Sequence, residues 1–285
     1  MTEPFQTKTS AEGPSLFYLT SWMDEQDGLT AGFTGRHGGV SGHPWTSLNL
    51  GLHVGDEPAR VVQNRRLVAE SLKWPFDAWT CAEQVHGCRV RQVTSADRGS
   101  GRENRAGAIA DCDALMTNET GVLLTSFYAD CVPIYYVDPV CRVIALAHAG
   151  WKGTVLEIAR MTVESMKDAY GSEPKDIFAA IGPSIGQCCY EVDQPVIERV
   201  EPLVQRLSTE LEVSPAEMML ENGEGKARLN LKEINRQIMI KAGILPTHIE
   251  LTERCTGCRT DLFFSHRMED GKTGRMVSWI GMKER

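Results

Sequence analysis

The chain has 285 residues, of which 42% are hydrophobic and 24% are charged, and its formal net charge is −8. This composition is typical of a globular protein with a sizeable core and excludes a largely disordered chain. The negative charge argues against a general nucleic-acid-binding protein, and no run approaches the ~20 apolar residues of a membrane span. The polar N-terminus lacks the apolar core of a signal peptide, so we expect a cytoplasmic protein.

The predicted elements begin after a polar N-terminal segment. Residues 1–14 contain few apolar side chains and are predicted to be a flexible tail, which leaves residues 15–285 as a single domain. Leu16–Trp22 has the apolar and aromatic composition of a strand. A helix is predicted from Pro58 to about Lys73, because proline suits a first turn and apolar residues then recur at helical spacing.

A glycine-rich, polar segment lies between these two elements and runs from Gly32 to Asp56. A stretch of this length with little regular structure is uncommon inside a domain unless it has a function. Arg36 and His37 come directly before two glycines, where the backbone can approach a ligand closely. Both are therefore candidate ligand-binding residues.

His86 is predicted to lie in a tight turn. Trp79–Val85 and Arg89–Val93 are rich in residues that favour strands, and the His-Gly turn lies between them. The polar segment that follows, residues 95–110, is predicted to be a mobile loop. A single histidine in a turn is more often solvated than functional, so His86 becomes a candidate only with partners from elsewhere.

A hairpin is predicted in the middle of the chain, where two apolar runs, Val132–Val137 and Arg142–Ala147, flank an Asp-Pro pair typical of a type I turn. With a two-residue Pro-Val connection, Cys131 lies directly opposite His148. Directly opposed residues on one face have Cβ atoms about 4.5–5.5 Å apart. A helix over Thr154–Tyr170 is predicted to follow.

The rest of the chain adds further elements. The predicted strands are Asp111–Thr117, Gly121–Phe127, Asp176–Ile181, His248–Thr252, Leu262–Ser265 and Arg275–Ile280, and the predicted helices are Gln194–Leu207 and Asn230–Ala242. With roughly ten strands, four or five helices and more hairpins than βαβ units, the chain is predicted to be a mixed α/β (α+β) single domain.

Cys131 and His148, with His86 as a third member, form the candidate metal site. A thiolate and two neutral imidazoles suit Zn²⁺, and three protein ligands leave a fourth position open. Two alternatives remain open. One is a metal-free dyad in which Cys131 is the nucleophile and His148 the base. The other is a buried cysteine beside a strand-end histidine, with no chemical role.

The other cysteines give a weaker signal. Nine cysteines, an odd number, argue against a complete disulfide framework. Cys255 and Cys258 have the C-x-x-C spacing of half a zinc site, but no second C-x-x-C and no His-x₃₋₅-His accompanies them. Ordinary thiols are therefore the preferred interpretation of this pair. Cys188 and Cys189 form a further pair, adjacent in the sequence.

Several motifs occur in order from about residue 29 to residue 280: GFTGRHGGVS, SLNLGLHVGD, EQVHG, DCDALMT, ADCVPI, AHAGWKG, IGPSIGQCCYEV and LFFSHR-x₆-GR. Through them nearly the whole chain resembles the YfiH/YlmD-like family, described as laccase-like multicopper polyphenol oxidoreductases and as peptidoglycan editing factors. The resemblance implies a four-layer α/β/β/α fold with mixed sheets, similar to a group of cysteine hydrolases. It also implies that His86, Cys131 and His148 are zinc ligands.

The activity implied by the resemblance is that of a zinc-dependent purine nucleoside phosphorylase, with adenosine deaminase activity at the same site of one catalytic domain. The implied substrates are phosphate and adenosine, inosine, guanosine or methylthioadenosine. Arg36 is the candidate phosphate ligand because its donors match oxyanions, and His37 would assist it. Lys152 and Arg267 are weaker options. Asp130 is a candidate proton carrier.

Two other activities compete with this one. A cysteine hydrolase that edits peptidoglycan precursors would use Cys131 as nucleophile and His148 as base. A copper-dependent polyphenol oxidase is less favoured, because a laccase needs further copper sites lined with many histidines and the chain has seven. A non-enzymatic regulator would bind the small molecule without turnover. No obligate protein partner is indicated.

Overall fold

The computed structural model describes residues 3–7, 13–223 and 225–283. The strands are β1 Phe5–Thr7, β2 Leu16–Leu19, β3 Leu29–Thr34, β4 Trp79–Cys81, β5 Val90–Gln92, β6 Ala114–Thr117, β7 Leu123–Tyr128, β8 Val132–Asp138, β9 Val143–Ala149, β10 Phe178–Ile181, β11 Glu191–Asp193, β12 Met219–Glu221, β13 Lys226–Leu229, β14 Ile249–Leu251 and β15 Met276–Met282. The α-helices are α1 Thr20–Glu25, α2 Pro58–Ser71, α3 Trp151–Val155, α4 Ile158–Tyr170, α5 Gln194–Leu211, α6 Pro215–Met218 and α7 Leu231–Lys241. Within the described ranges, no helix combines the length and apolar character that crossing a bilayer requires.

Two mixed six-stranded sheets form the centre of the molecule. The first has the order β1-β2-β3-β15-β7-β4, and β4 runs parallel to β7. The second has the order β14-β10-β8-β9-β6-β5, with parallel pairs at both edges. A small antiparallel sheet of β11, β13 and β12 lies beside them.

The core is built as layers. Phe33 and Ile280 of the first sheet share one buried cluster with Tyr135 and Leu146 of the second, so the two sheets pack face to face. The other face of the second sheet packs with α4, α5 and α7, and the other face of the first packs with α2. Side chains of successive strand residues point to opposite faces, which lets each buried sheet serve two apolar layers. The mixed α/β single domain and its α/β/β/α layering are confirmed.

The central hairpin forms with a register different from the predicted one. Pro133, not Cys131, lies opposite His148, and the connecting loop has four residues rather than two. Asp138 accepts hydrogen bonds from two backbone N–H groups of this loop, and Arg142 adopts a left-handed φ of 54°. Because the register differs by two residues, every side chain stays on its predicted face and Cys131 remains near His148.

The helix predicted over Thr154–Tyr170 is two helices, α3 and α4. Glu157 separates them with a left-handed φ of 57°. Its carboxylate pairs with Arg160 of α4 and with Arg206 of α5. These ion pairs lie at the turn between α3 and α4. The spacing of apolar residues in the segment is that of one continuous helix and does not indicate this turn.

The segment predicted as a flexible tail contributes a strand. Phe5–Thr7 pairs with β2 at the edge of the first sheet, and Phe5 is fully buried. Its ring centroid lies 5.5 Å from that of Tyr135. A polar segment can form such an edge because only alternate side chains must face the core. Residues 1, 2 and 8–12 of the predicted tail lie outside the described residues.

Four predicted strands also need correction. Trp79–Val85 and Arg89–Val93 do not pair, because β4 belongs to the first sheet and β5 to the second. The turn at His86 therefore passes between the sheets. Leu262–Ser265 forms no strand. The segment is irregular, although its two phenylalanines are buried as they would be in a strand. The strand predicted over Leu16–Trp22 ends at β2, after which α1 begins.

Candidate active site

The structure brings the three predicted metal ligands together. The ligand atoms of His86, Cys131 and His148 lie within 4.8 Å of one another. Cys131 Sγ is 3.9 Å from His86 Nε2, and the two imidazole rings are nearly perpendicular with centroids 4.9 Å apart. One sulfur and two imidazole nitrogens converging this closely can hold one metal ion. This donor set fits Zn²⁺ and, by chemistry alone, also copper.

Asp113 positions two of the three ligands. Its carboxylate accepts hydrogen bonds from the backbone N–H groups of Val85, His86 and Gly87, at 3.2, 3.0 and 2.7 Å, which holds the turn around His86. It also accepts a hydrogen bond from His148 Nδ1 at 2.8 Å. Since a carboxylate accepts and does not donate, His148 carries its proton on Nδ1 and presents Nε2 to the cluster.

Asp113 was not among the sequence candidates, although it lies within the DCDALMT motif. A usable signal was present, because Asp113 directly precedes β6. This strand pairs with β9, which carries His148, so that Ala114 lies opposite Ala147. A carboxylate at the start of a neighbouring strand is within reach of a histidine on the next strand.

The electrostatic environment makes Cys131 and His148 an ion pair when no metal is bound. Burial alone would raise the pKa of Cys131, but His148 and His86 lower it to about 6. Burial alone would lower the pKa of His148, but Cys131 and Asp113 raise it to about 9. At neutral pH the metal-free site therefore holds a thiolate and an imidazolium.

The trio opens into a pocket of about 550 Å³. Among the residues that the structure describes, five cationic side chains line it: Arg65, Arg105, Lys152, Arg267 and Arg275. His53 also lines the pocket, and burial, followed by the charges of Arg275, Arg105 and Arg65, lowers its pKa to about 4. His53 is thus neutral at pH 7, and this side of the pocket has a positive potential.

Asp130 lines the same pocket and is buried. It accepts hydrogen bonds from Thr256 Oγ1 at 2.6 Å and from the backbone N–H of Arg267 at 3.0 Å. Both carboxylate oxygens therefore hold the segment between β14 and β15. These contacts fix the orientation of the Asp130 carboxylate, in the residue next to Cys131. Lys152, one of the weaker phosphate candidates, also reaches the pocket.

Arg36 and His37 are not brought to the pocket. Arg36 donates to the carbonyl of Thr260 at 2.7 Å and pairs with Glu269 at 3.0 Å. His37 is exposed, with Nε2 2.6 Å from the carbonyl of Asp261. Neither is among the residues that line the pocket. The structure uses the donors of Arg36 to fix the C-terminal segment, a partner that the glycine-rich motif alone could not indicate.

Three of the five pocket cations escaped the sequence prediction, which named only Lys152 and Arg267, as weaker phosphate candidates. Arg65 lies on α2 and Arg275 directly precedes β15, and both point inward. Charged residues in a helix or next to a strand are normally solvated, so the local pattern favours the surface. His53 lies in the SLNLGLHVGD motif, which was the one available signal.

Comparisons with known proteins identify the family of the chain. Residues 30–283 match a family model described as "Multi-copper polyphenol oxidoreductase laccase". The chain is 46% identical to "Purine nucleoside phosphorylase YlmD" of Geobacillus stearothermophilus over 90% of this chain and 91% of that protein. It is 41% identical to "Purine nucleoside phosphorylase YlmD" of Bacillus subtilis over 99% of this chain and 98% of that protein. The crystal structure of Bacillus licheniformis hypothetical protein YfiH matches with a TM-score of 0.88 and 42% identity, over 98% of this chain and 99% of that chain. The chain belongs to this YfiH/YlmD-like family.

Proposed function

We propose that this protein is a zinc-dependent purine nucleoside phosphorylase that also deaminates adenosine. The observation that carries the proposal is that three metal-ligating side chains and a group of cations share one pocket. Its volume of about 550 Å³ suits a small-molecule ligand. The names of the relatives support purine nucleosides as the substrate class. Adenosine, inosine, guanosine and methylthioadenosine are the proposed substrates.

Phosphate binding is assigned to the cationic part of the pocket. Arg275 donates hydrogen bonds to the carbonyls of Thr273 and Gly274, which fix the orientation of its guanidinium. Arg105 and neutral His53 lie in the same lining. Guanidinium groups match an oxyanion, and the neutral ring of His53 can accept a hydrogen bond from a protonated oxygen of a bound phosphate. This group replaces Arg36 and His37 as the proposed phosphate site.

The trio is assigned to the purine end of the substrate. When bound there, Zn²⁺ would act as a Lewis acid that activates water and polarises the purine. Asp113 keeps His148 Nε2 turned toward the cluster, and Asp130, which directly precedes Cys131, fixes the segment between β14 and β15. Trp151 and Tyr190 line the pocket and offer aromatic faces for the purine ring.

A cysteine hydrolase is the second candidate, and one observation favours it. In the metal-free state Cys131 and His148 form the thiolate–imidazolium pair that such enzymes use. A thiolate that binds zinc is poorly available as a nucleophile, so the two functions exclude each other at the same site. Copper oxidase chemistry is not proposed. In the ranges that the structure describes, only one group of metal-ligating residues contains histidines.

Adenosine turnover on metal-analysed protein, with and without phosphate, tests the proposal. We expect adenine to be released only with phosphate, and inosine to form with or without it. Cys131→Ala should lose both activities and its trio metal. Cys141→Ala is the matched control, because Cys141 is a half-buried cysteine in the β8–β9 loop. Absence of nucleoside turnover by zinc-loaded wild type would refute the proposal and favour the cysteine hydrolase.

The phosphate assignment has a separate test. We expect Arg275→Met to raise the KM for phosphate by at least tenfold and to change the KM for adenosine much less. Arg66→Met serves as the control, because Arg66 pairs with Glu103 at the surface. An equal rise in both KM values would assign Arg275 to the general shape of the pocket instead.

A further inference from the structure

Four cysteines from two separate segments meet in a second cluster. Cys188 and Cys189 precede β11, whereas Cys255 and Cys258 follow β14. Their sulfur atoms lie within 4.8 Å of one another. Cys258 Sγ is 3.4 Å from Cys188 Sγ and 3.4 Å from Cys189 Sγ. None of the four lines the pocket that contains the trio.

The spacing of the sulfur atoms suits a tetrahedral metal site. With Zn–S bonds of about 2.3 Å, the sulfur atoms of a four-thiolate site are about 3.8 Å apart. A disulfide would instead need sulfur atoms about 2.05 Å apart, and all four cysteines are free thiols. Four sulfur ligands without an open position are typical of structural zinc sites.

The backbone around the cluster is shaped to admit four sulfur atoms. The N–H of Gly186 donates a hydrogen bond to Cys255 Sγ at 3.2 Å. A Cβ on Gly186 would lie 3.2 Å from Cys188 Sγ, and a Cβ on Gly257 would lie 2.9 Å from Cys189 Cβ. Glycine at both positions thus lets the two segments approach each other.

A buried cation accompanies the cluster. Lys232 is only 5% exposed, and its Nζ donates hydrogen bonds to the carbonyls of Thr252 and Arg254 at 3.0 and 2.8 Å. These carbonyls belong to the three residues that precede Cys255. Four thiolates around one Zn²⁺ leave a net charge of −2, so a buried lysine nearby stabilises the centre.

We propose that Cys188, Cys189, Cys255 and Cys258 bind a second, structural Zn²⁺ ion. This proposal replaces the interpretation of Cys255 and Cys258 as ordinary thiols, which the sequence alone favours. The partners of this C-x-x-C pair are the adjacent Cys188 and Cys189 rather than a second C-x-x-C, and only the fold brings the two pairs together. Each thiol gives up its proton to solvent, and four Zn–S bonds form without any change of oxidation state.

The second ion would hold one wall of the pocket. The backbone N–H of Thr256 donates to the carbonyl of Ser184 at 3.1 Å, so the two cysteine-bearing segments already pair beside the cluster. The same segments carry Tyr190 and Arg267, which line the pocket. The guanidinium of Arg267 stacks on Tyr190 at 5.1 Å. Cross-linking the segments through zinc therefore fixes side chains that would contact the substrate.

Metal content and ligand type test the proposal without using activity. We expect wild type to hold two zinc ions per chain, and Cys131→Ala to keep one. X-ray absorption of Cys131→Ala protein should show four sulfur ligands at about 2.3 Å. Cys258→Ser should keep the trio metal, lose the second ion and melt at a lower temperature. Cys141→Ser is the matched control and should keep both ions.

Cys188→Ser provides a second variant if Cys258→Ser does not fold, because Cys188 lies on the other of the two segments and is also exposed. Retention of the second ion in both cysteine variants would overturn the proposal. So would a wild-type protein in which the four thiols react freely with a thiol reagent, or in which mass spectrometry finds a disulfide between them. These results leave the trio and its proposed activity untouched, so the two proposals fail independently.

Discussion

Asp113 connects the two histidines of the trio although it would not touch the substrate. Its carboxylate holds the backbone of the turn around His86 and the Nδ1–H of His148. Burial acts against its charge, but the hydrogen bonds from His148 and the turn keep the pKa of Asp113 below its usual value. One buried anion therefore sets both the position and the tautomer of the ligands.

Replacing Asp113 with asparagine should weaken metal binding. We expect Asp113→Asn to lower the zinc affinity of the trio by about 10–100-fold, because the amide no longer fixes the Nδ1–H tautomer of His148. A competition titration with a chromophoric chelator measures the change. Asp111→Asn is the matched control, since Asp111 is exposed and asparagine tolerates its φ of 52°. Equal affinity in both variants would contradict the positioning role of Asp113.

In metal-free protein the thiolate of Cys131 should form at unusually low pH. Its pKa is lowered from 9.0 to about 6, so its stabilising contribution is present above pH 9 and is lost as pH falls through about 6. The pKa of His148 is raised from 6.5 to about 9, so its contribution is present below pH 6.5 and is lost as pH rises through about 9. The ion pair therefore stabilises the metal-free protein most between about pH 6 and pH 9.

Ultraviolet absorbance of the thiolate in chelator-treated protein measures this titration, with Cys131→Ser protein subtracted. We expect a midpoint near pH 6 for wild type. His148→Gln removes the imidazolium and should move the midpoint up by at least one pH unit. A wild-type midpoint at the value of a free cysteine would contradict the ion pair.

At the scale of the elements, α3 begins against the metal site itself. Gly150 precedes α3, and a Cβ at this position would lie 2.9 Å from His86 Cδ2 and 3.0 Å from Cys131 Sγ. These contacts are shorter than carbon and sulfur atoms tolerate. The start of the helix can approach the ligands this closely only because residue 150 has no side chain.

Gly150→Ala should therefore lose the trio metal while the fold is retained. The added methyl group must displace His86 or Cys131, and both are ligands. Zinc content and circular dichroism measure the two parts of this prediction. Gly87→Ala is the matched control, because a Cβ there would meet its neighbours at 3.5 Å or more. Full zinc content in Gly150→Ala protein would show that the site relaxes around the methyl group.

Arg65 joins α2 to the segment that follows β5. It is 2% exposed and donates hydrogen bonds to the carbonyls of Leu50, Gly101 and Arg102. Its guanidinium also lies 4.6 Å from the ring centroid of Phe127. Residues 95–110, predicted to be a mobile loop, are thus anchored at their centre by a buried cation.

Arg65→Met should lower the free energy of unfolding by about 3 kcal/mol, because the buried carbonyls lose a charged donor. Arg66→Met, one position along the same helix, removes a surface ion pair and should cost less than about 1 kcal/mol. Denaturant unfolding of both variants measures the difference. Equal losses would show that the buried hydrogen bonds of Arg65 contribute no more than surface contacts.

At the scale of the whole molecule, the sequence predicts well what depends on neighbouring residues. The composition of β8 and β9 indicated a hairpin, and the two-residue period kept Cys131 on the correct face despite the wrong loop length. The order of the strands depends on distant segments and could not be read locally. β15, near the end of the chain, lies between β3 and β7.

The same limit explains which site residues were missed. Asp113, His53 and Arg275 meet the trio or its pocket only after both sheets have formed. Cys188 and Cys258 are likewise distant in sequence and 3.4 Å apart between their sulfur atoms in the fold. Long-range pairing of segments, rather than the type of residue, is the information that one sequence does not provide.

The N-terminal strand β1 contributes to the packing of both large sheets. Phe5 is fully buried and packs against Tyr135 of the second sheet. Strand β1 therefore adds an edge to the first sheet and an apolar contact between the two sheets.

Truncating a buried phenylalanine costs about 3 kcal/mol or more of unfolding free energy, because the favourable burial of the ring is lost and a cavity remains. We therefore expect Phe5→Ala to lower the melting temperature by several degrees, measured by calorimetry. Thr7 is exposed on the same strand, so Thr7→Ala should leave the melting temperature unchanged. Equal melting temperatures for Phe5→Ala and wild type would mean that the strand is dispensable, and that the two sheets hold together without the N-terminal edge.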